Sequence, residues 1–288
     1  MSASAAVTPV PLLDVFGLTK RYPTRQGEIT ACEDVSFRVA RGGALALVGE
    51  SGAGKSTVIR LVAGLEEPSA GRVVLGGNGD GDSDGRRLRG RAARLARAAT
   101  VQIVHQDPYS SLDPRQPIGD GLAELLRLHA HRLPGDLTDR SARRARAAEL
   151  LETVGLPGLA HARPARLSGG QRQRAAIARA LALEPDVLLL DEAVAALDVS
   201  VQAQILNLLA DLRERTGTTL LFVTHDLAVV RQLCEEAVVM HRGRIVEQGP
   251  VARIFTDPQH PYTRTLLASI PRPGWRPHRI RREVRTGG

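Results

Sequence analysis

Several short stretches carry residue types whose spacing could handle a phosphate chain and a hydrolytic water. GESGAGKS, from Gly49 to Ser56, fits the pattern G-x-x-x-x-G-K-[ST] at every position. Gly49, Gly52 and Gly54 let backbone N–H groups approach phosphate oxygens, and Glu50, Ser51, Ala53 and Thr57 complete the cradle. Lys55 would reach the β and γ phosphates, and the Ser56 hydroxyl would ligate Mg²⁺. DVLLLDE at 186–192 holds Asp191 at the carboxyl end of a buried strand, where an acid can bind Mg²⁺ and Glu192 beside it can polarise a water as general base.

His225, in LFVTHD, ends another apolar run and should emerge at the edge of the same site, although a lone histidine is more often structural. Gln106 leaves VQIVH at a strand-to-loop exit, where it could bond a Mg²⁺-bound water. Tyr22 offers either a face for a purine ring or a packing surface. LSGGQRQR at 167–174 is a glycine turn running into a helix, and a helix N-terminus favours an anion. A chain with one phosphate cradle at 49–57 therefore carries a second.

The elements that must position these groups read as follows. Residues 12–48 are β-rich with turns at Gly27 and at Gly42 and Gly43, and ALALVG runs straight into the glycine loop. STVIRLVAGL shows helical spacing, so the loop sits between strand and helix as its chemistry requires. GRVVLGG is a further strand, NGDGDSDG at 78–85 a loop, and 86–99 a basic helix whose plainest reading is a solvated surface. From about 107 to 180 the spacing is helical, then DVLLLDE and TLLFVTHD return to buried strands and AVVMHRGRIVEQG closes with two strands around Arg242 and Gly243. Strands, helices and strands again predict an α/β core with an all-helical subdomain inserted. The segment 251–288 reads as one short amphipathic helix and an extended basic tail.

With 288 residues and 43% hydrophobic content the composition is that of a soluble globular protein, and its longest apolar runs are too short to span a bilayer. MSASAAVTPVPLL has no basic start or long apolar stretch, which places the chain in the cytoplasm. Cys32 and Cys234 lack metal-ligand spacing and read as small core residues. The net charge is +8, and among 39 basic residues only Lys20 and Lys55 are lysines. That surface suits nucleic acid or anionic lipid equally, so charge does not choose a partner.

The phosphate loop, Gln106, LSGGQ, LLLDE, ALD at 196–198 and His225, in this order, resemble the nucleotide-binding subunits of ATP-binding cassette (ABC) transporters across nearly the whole chain. The resemblance implies a P-loop NTPase of ABC ATPase type: a RecA-like α/β core with an antiparallel β-subdomain and an inserted α-helical subdomain. It implies a cassette over 12–250 and an extension over 251–288. It also explains the second cradle, because in such ATPases two subunits stack head to tail. Ser168, Gly169, Gly170 and Gln171 then close over the ATP held by the partner's loop. By the same resemblance Tyr22 stacks on adenine, Gln106 senses the γ-phosphate, Asp191 holds Mg²⁺, Glu192 is the base, His225 the switch, and Asp198 communicates across the dimer.

QDPYSSLDPR at 106–115 and DPQHPYTRTLLASIP at 257–271 are similar to ATPases of oligopeptide, dipeptide and nickel importers. That implies two transmembrane permease subunits, a second ATPase subunit and, indirectly, an extracytoplasmic solute-binding protein, with the chain peripheral on the cytoplasmic face of the membrane. One departure stands out: family members commonly have Pro and Ser where this chain has Ala193 and Ala195, which bears on coupling between paired sites. A soluble cassette acting on nucleic acid or the ribosome is the alternative reading, supported by the Arg-rich segments. A non-hydrolysing partner ranks last, since every catalytic position is filled.

Overall fold

The computed structural model describes residues 11–25, 27–76, 97–195 and 197–269. The loop expected at 78–85, most of the basic helix expected at 86–99 and the tail from 270 onward lie outside the described residues. Three strands, β1 (Pro11–Thr24), β2 (Gly27–Ala40) and β4 (Ala70–Leu75), form an antiparallel sheet with β1 in the centre. The second sheet contains β3 (Ala44–Val48), β5 (Val101–Val104), β6 (Val187–Asp191), β7 (Thr219–Thr224), β8 (Glu236–His241) and β9 (Arg244–Pro250). Its spatial order is β5-β6-β7-β3-β8-β9, parallel throughout except for the last pair.

The apolar runs ALALV, VLLLD and TLLFVT are continuous because their strands are covered on both faces. Side chains alternate between those faces. Ala46, Leu188, Leu190, Leu220 and Phe222 join a core shared with most of the helices. Leu45, Leu47, Leu189, Leu221 and Val223 join a second core with α1 (Lys55–Ala63) and the antiparallel sheet.

The expected helical subdomain is the crossover between two adjacent strands. Val101 of β5 pairs with Val187 of β6 and Val104 with Leu190. Between them lie α2 (Ile118–His129), α3 (Arg140–Thr153) and α4 (Gly169–Leu181). Leu122 and Leu126 of α2, Leu151 of α3 and Ile177 of α4 bury together with the sheet's helical face. After β6 come α5 (Val199–Thr216), which stops at Gly217 in the left-handed region (φ 67°), and α6 (Leu227–Leu233). Among the described residues no helix is long and apolar enough to cross a membrane.

The C-terminal part differs from the sequence expectation. Two helices, α7 (Val251–Thr256) and α8 (Pro261–Ala268), replace the single one. Asp257 leaves the helical region at φ −142°, and Pro261 opens a new helix at a position where its missing N–H costs nothing. His260 caps that helix, its Nδ1 accepting from the Tyr262 N–H at 3.2 Å. Val251, Ile254, Leu266 and Leu267 pack into the core beside the sheet.

The core makes a clear demand on β7, where Phe222 is wholly buried. Phe222→Ala should cost about 3–5 kcal/mol of unfolding free energy. Urea denaturation checks this against Ile29→Ala at an exposed position, expected within about 0.5 kcal/mol of wild type.

Candidate active site

The carboxyl ends of β3, β5, β6 and β7 deliver the candidate groups to one edge of the parallel sheet, where the strand order reverses around β3. From Val48 the chain turns through Gly49 to Gly54 and enters α1 at Lys55. Gly54, at the helix N-cap, has φ 97° and makes no side-chain cap, so the first-turn N–H groups have no side chain over them. A Cβ on Gly54 would lie 2.3 Å from the Ala31 carbonyl oxygen. Only glycine lets the loop pass so close to β2.

Lys55 is 4% exposed, and its Nζ donates to the Gly49 and Glu50 carbonyls, each at 2.8 Å. Burial lowers its pKa, opposed by the nearby carboxylates of Glu192, Asp191 and Glu50. The ammonium is thus drawn into the ring of the loop and toward the acids on β6. Ser56 donates its hydroxyl to Asp191 Oδ1 at 3.3 Å. Burial pushes the Asp191 carboxyl up, countered by the Ser56 hydroxyl and by His105. A hydroxyl and a carboxylate side by side are oxygen donors of the kind Mg²⁺ takes while keeping phosphate and water as its other ligands.

Glu192 sits just past β6 with φ 50°, a strained value for a non-glycine residue, and its N–H donates to the Val223 carbonyl at 3.0 Å. That bond ties the turn to β7. His225 follows the same strand, its Nδ1 3.4 Å from Glu192 Oε1. The expected base and the expected switch are therefore neighbours. Ala193 is buried and Ala195 donates its N–H to the Glu192 carbonyl at 3.1 Å, so the departure at these positions leaves a closed turn behind the glutamate.

Tyr22, on β1, is half-buried and donates its hydroxyl to Glu66, with Thr57 also in reach. Burial, then Glu66, raises its pKa. The Lys20 ammonium lies 5.1 Å from the ring centroid and 3.5 Å from Glu66 Oε2, fixing the ring beside the start of α1. Gln106 stands exposed in the loop after β5, next to His105. Glu50 has both backbone groups engaged within the protein, its carbonyl by Lys55 and its N–H by the Tyr262 hydroxyl at 3.0 Å. Among the loop residues, Ser51 and Gly52 are exposed, and Ala53 is buried with its carbonyl accepting from Gly243.

The second cradle is built separately. Ser168 caps α4, its Oγ accepting from the Gln171 N–H at 3.2 Å while Gln171 Oε1 accepts from the Ser168 N–H at 2.9 Å. Ser168 and Gly169 are exposed, and a Cβ on Gly170 would meet Val201 Cγ1 at 2.4 Å. Asp198 caps α5 by accepting from the Val201 N–H at 2.9 Å and the Ser200 hydroxyl, bonds that hold its carboxyl below the usual range. The two helix starts thus pack together. Among the described residues no hydrogen bond or ion pair joins Ser168–Gln171 to the phosphate loop of the same chain.

Sequence reasoning missed His105, Gln173 and Tyr262. His105 follows β5, whose Val104 pairs with Leu190, so strand register would have set it opposite Asp191. Gln173 is buried in α4 and donates to the His105 carbonyl at 3.4 Å, linking signature helix and β5 loop. Tyr262 gave no chemical signal, since its contact spans more than two hundred residues.

A glycine loop folded round a buried lysine, facing an Asp–Glu pair at the carboxyl edge of a parallel sheet, defines a P-loop ATPase. Residues 32–195 match the ABC transporter family and 246–286 match the oligopeptide/dipeptide transporter C-terminal region. The chain belongs to the ABC transporter family as an ATP-binding cassette. It is 45% identical over 268 residues to a putative peptide import ATP-binding protein of Brucella ovis, covering 93% of this chain and 81% of that one. It is 43% identical over 282 residues to the dipeptide transport ATP-binding protein DppF of Haemophilus influenzae, covering 94% and 82%. Among solved structures it is similar to the ATP-binding cassette MJ0796 in a dimeric post-hydrolysis state bound to ADP and Pi. That likeness has a TM-score of 0.69 and 30% identity, over 83% of this chain and 98% of the other.

The tight passage at Gly54 makes a test of the cradle. Gly54→Ala should abolish measurable ATP binding by calorimetry and cost about 1–3 kcal/mol in denaturation, because a strained φ and a backbone clash coincide there. Wild-type affinity in this variant would show that the loop does not hold the phosphates.

Proposed function

We propose that this chain is the ATP-hydrolysing subunit of an importer of peptides or a related small solute, working through two transmembrane permease subunits. The observation that carries the site reading is the convergence of Lys55, Ser56, Asp191, Glu192 and His225 at one sheet edge. The peptide reading is supported by the names of the Brucella and Haemophilus relatives and by the match of 246–286. In this reading the chain sits on the cytoplasmic face of the membrane and receives solute indirectly from an extracytoplasmic binding protein. The nucleic-acid alternative gains no support from these relatives.

Within the site, Gly49 to Thr57 cradle the phosphates of ATP and Lys55 meets the β and γ oxygens. Ser56 and Asp191 would hold Mg²⁺, with Gln106 contacting it through water. Held there, the ion would supply positive charge to offset the negative charge that develops on the phosphates. Tyr22 presents its ring to adenine. Glu192 accepts the proton of the attacking water, and His225, its Nδ1 3.4 Å from Glu192 Oε1, faces the γ-phosphate.

Ser168, Gly169, Gly170 and Gln171 act on the nucleotide of a second cassette, either another copy of this chain or a related ATPase, with Asp198 at that junction. The exposure of Ser168 and Gly169, and the separation of the whole turn from the phosphate loop of the same chain, support this assignment. ATP between two cassettes favours the closed pair, and hydrolysis removes the γ-phosphate contacts that hold it.

Glu192→Gln should lower ATP turnover by about 10²- to 10⁴-fold, the usual worth of general-base help, with ATP affinity retained. Steady-state phosphate release and equilibrium ATP binding measure the two quantities. Turnover near wild type would remove Glu192 from the base role.

A further inference from the structure

The C-terminal extension reaches the phosphate loop through one side chain. Tyr262 of α8 accepts the Glu50 N–H on its hydroxyl oxygen at 3.0 Å, and its ring stacks on His241 with centroids 4.0 Å apart and planes 14° from parallel. Glu50 also supplies one of the two carbonyls that hold the Lys55 ammonium. The tyrosine therefore holds the Gly49–Glu50 peptide group, whose own carbonyl, that of Gly49, is the other lysine acceptor.

The tyrosine is itself held from below. Glu247 of β9, 7% exposed, accepts from the Gln259 N–H at 2.8 Å and the His260 N–H at 3.0 Å. Burial acts to raise the Glu247 carboxyl, yet those N–H bonds and Thr263 outweigh it and hold the group below its ordinary value. A charge clamped on the turn before α8 fixes where that helix starts. His260 then caps the helix at the Tyr262 N–H, leaving the Tyr262 side chain directed at the loop.

His241 ends β8, and the turn after it approaches the same loop, with the Gly243 N–H donating to the Ala53 carbonyl at 3.1 Å. The loop thus rests on two supports, one from the turn after β8 at Ala53 and one from α8 at Glu50. The support from α8 lies outside the strand and loop elements that carry Asp191, Glu192 and His225.

We propose that Tyr262 is a positioning residue for ATP binding: its hydroxyl, braced by His241 and by the Glu247 clamp, holds Glu50 so that the phosphate loop is ordered before nucleotide arrives. This rests on the reading of 49–57 as the phosphate cradle of ATP. Without the hydroxyl, ordering of the loop must be supplied by the nucleotide itself, and affinity falls. Chemistry at Glu192 and His225 is untouched, so turnover at saturation stays the same. The α8 segment gains a role beyond packing, because any displacement of it changes ATP affinity, and ATP in turn steadies α8.

The test is Tyr262→Phe, which removes the hydroxyl and keeps the stacked ring. Mg-ATP affinity by titration calorimetry should weaken about 3- to 10-fold, the worth of one hydrogen bond. The kcat should change by less than about twofold and the thermal midpoint should stay at the wild-type value. The Glu50 amide should exchange its hydrogen faster in the nucleotide-free variant. Unchanged affinity, or a fall in thermal midpoint with affinity of the folded protein unaltered, would overturn the proposal and leave the site reading standing. A wild-type chain that fails to bind Mg-ATP would overturn the site reading, and this inference with it.

Discussion

A lysine ammonium buried to 4% exposure cannot persist without partners, because removing a charge from water costs several kcal/mol even after relaxation. Lys55 meets that demand with two carbonyls of its own loop and the field of Asp191, Glu192 and Glu50. Those partners arrive only if β3 and β6 end at the same level, and β7 must lie between them to carry the Glu192 turn. Lys55 thereby links the loop geometry to the register of the parallel sheet. In the proposed function, a nucleotide's phosphate chain enters an electrostatic arrangement that folding has already made.

The same edge shows where stability is given up for chemistry. Glu192 adopts a left-handed backbone that glutamate normally avoids, and Asp191 keeps a carboxylate that burial penalises. Both are held by strands whose apolar side chains face two cores at once. Rigid, doubly covered strands are what allow strained and desolvated groups to stand at their ends. The signature cradle follows another rule, since Ser168 and Gln171 satisfy each other in a capping box and need no second chain to be folded. Its shape is set within one chain.

Much of this was legible in the residues. Continuous apolar runs ending in Asp191, Glu192 and His225 announced buried parallel strands with polar tips, and the glycine spacing at 49–54 announced a loop that other residues could not form. Ser168 with Gln171 three positions on was also the spacing of a capping box, although the anion cradle alone was inferred from it. What stayed hidden depended on pairings distant in the chain. His105 faces Asp191 through strand register, and Tyr262 reaches Glu50 through a helix whose start at Pro261 was merged with its neighbour. Local pattern fixes elements, whereas contacts of that length are set only once the sheet has formed.

The proposal at the centre of this account is that one chain holds two half-sites and that ATP joins them to those of a second cassette, for which another copy of this chain is the first to try. Sedimentation of the Glu192→Gln protein with and without Mg-ATP tests it most directly, alongside the same protein carrying Ser168→Arg. The account predicts a monomer without nucleotide, a dimer with Mg-ATP, and no dimer when the arginine blocks the second cradle. A protein that binds Mg-ATP yet remains monomeric at every concentration would contradict the pairing of two copies of this chain.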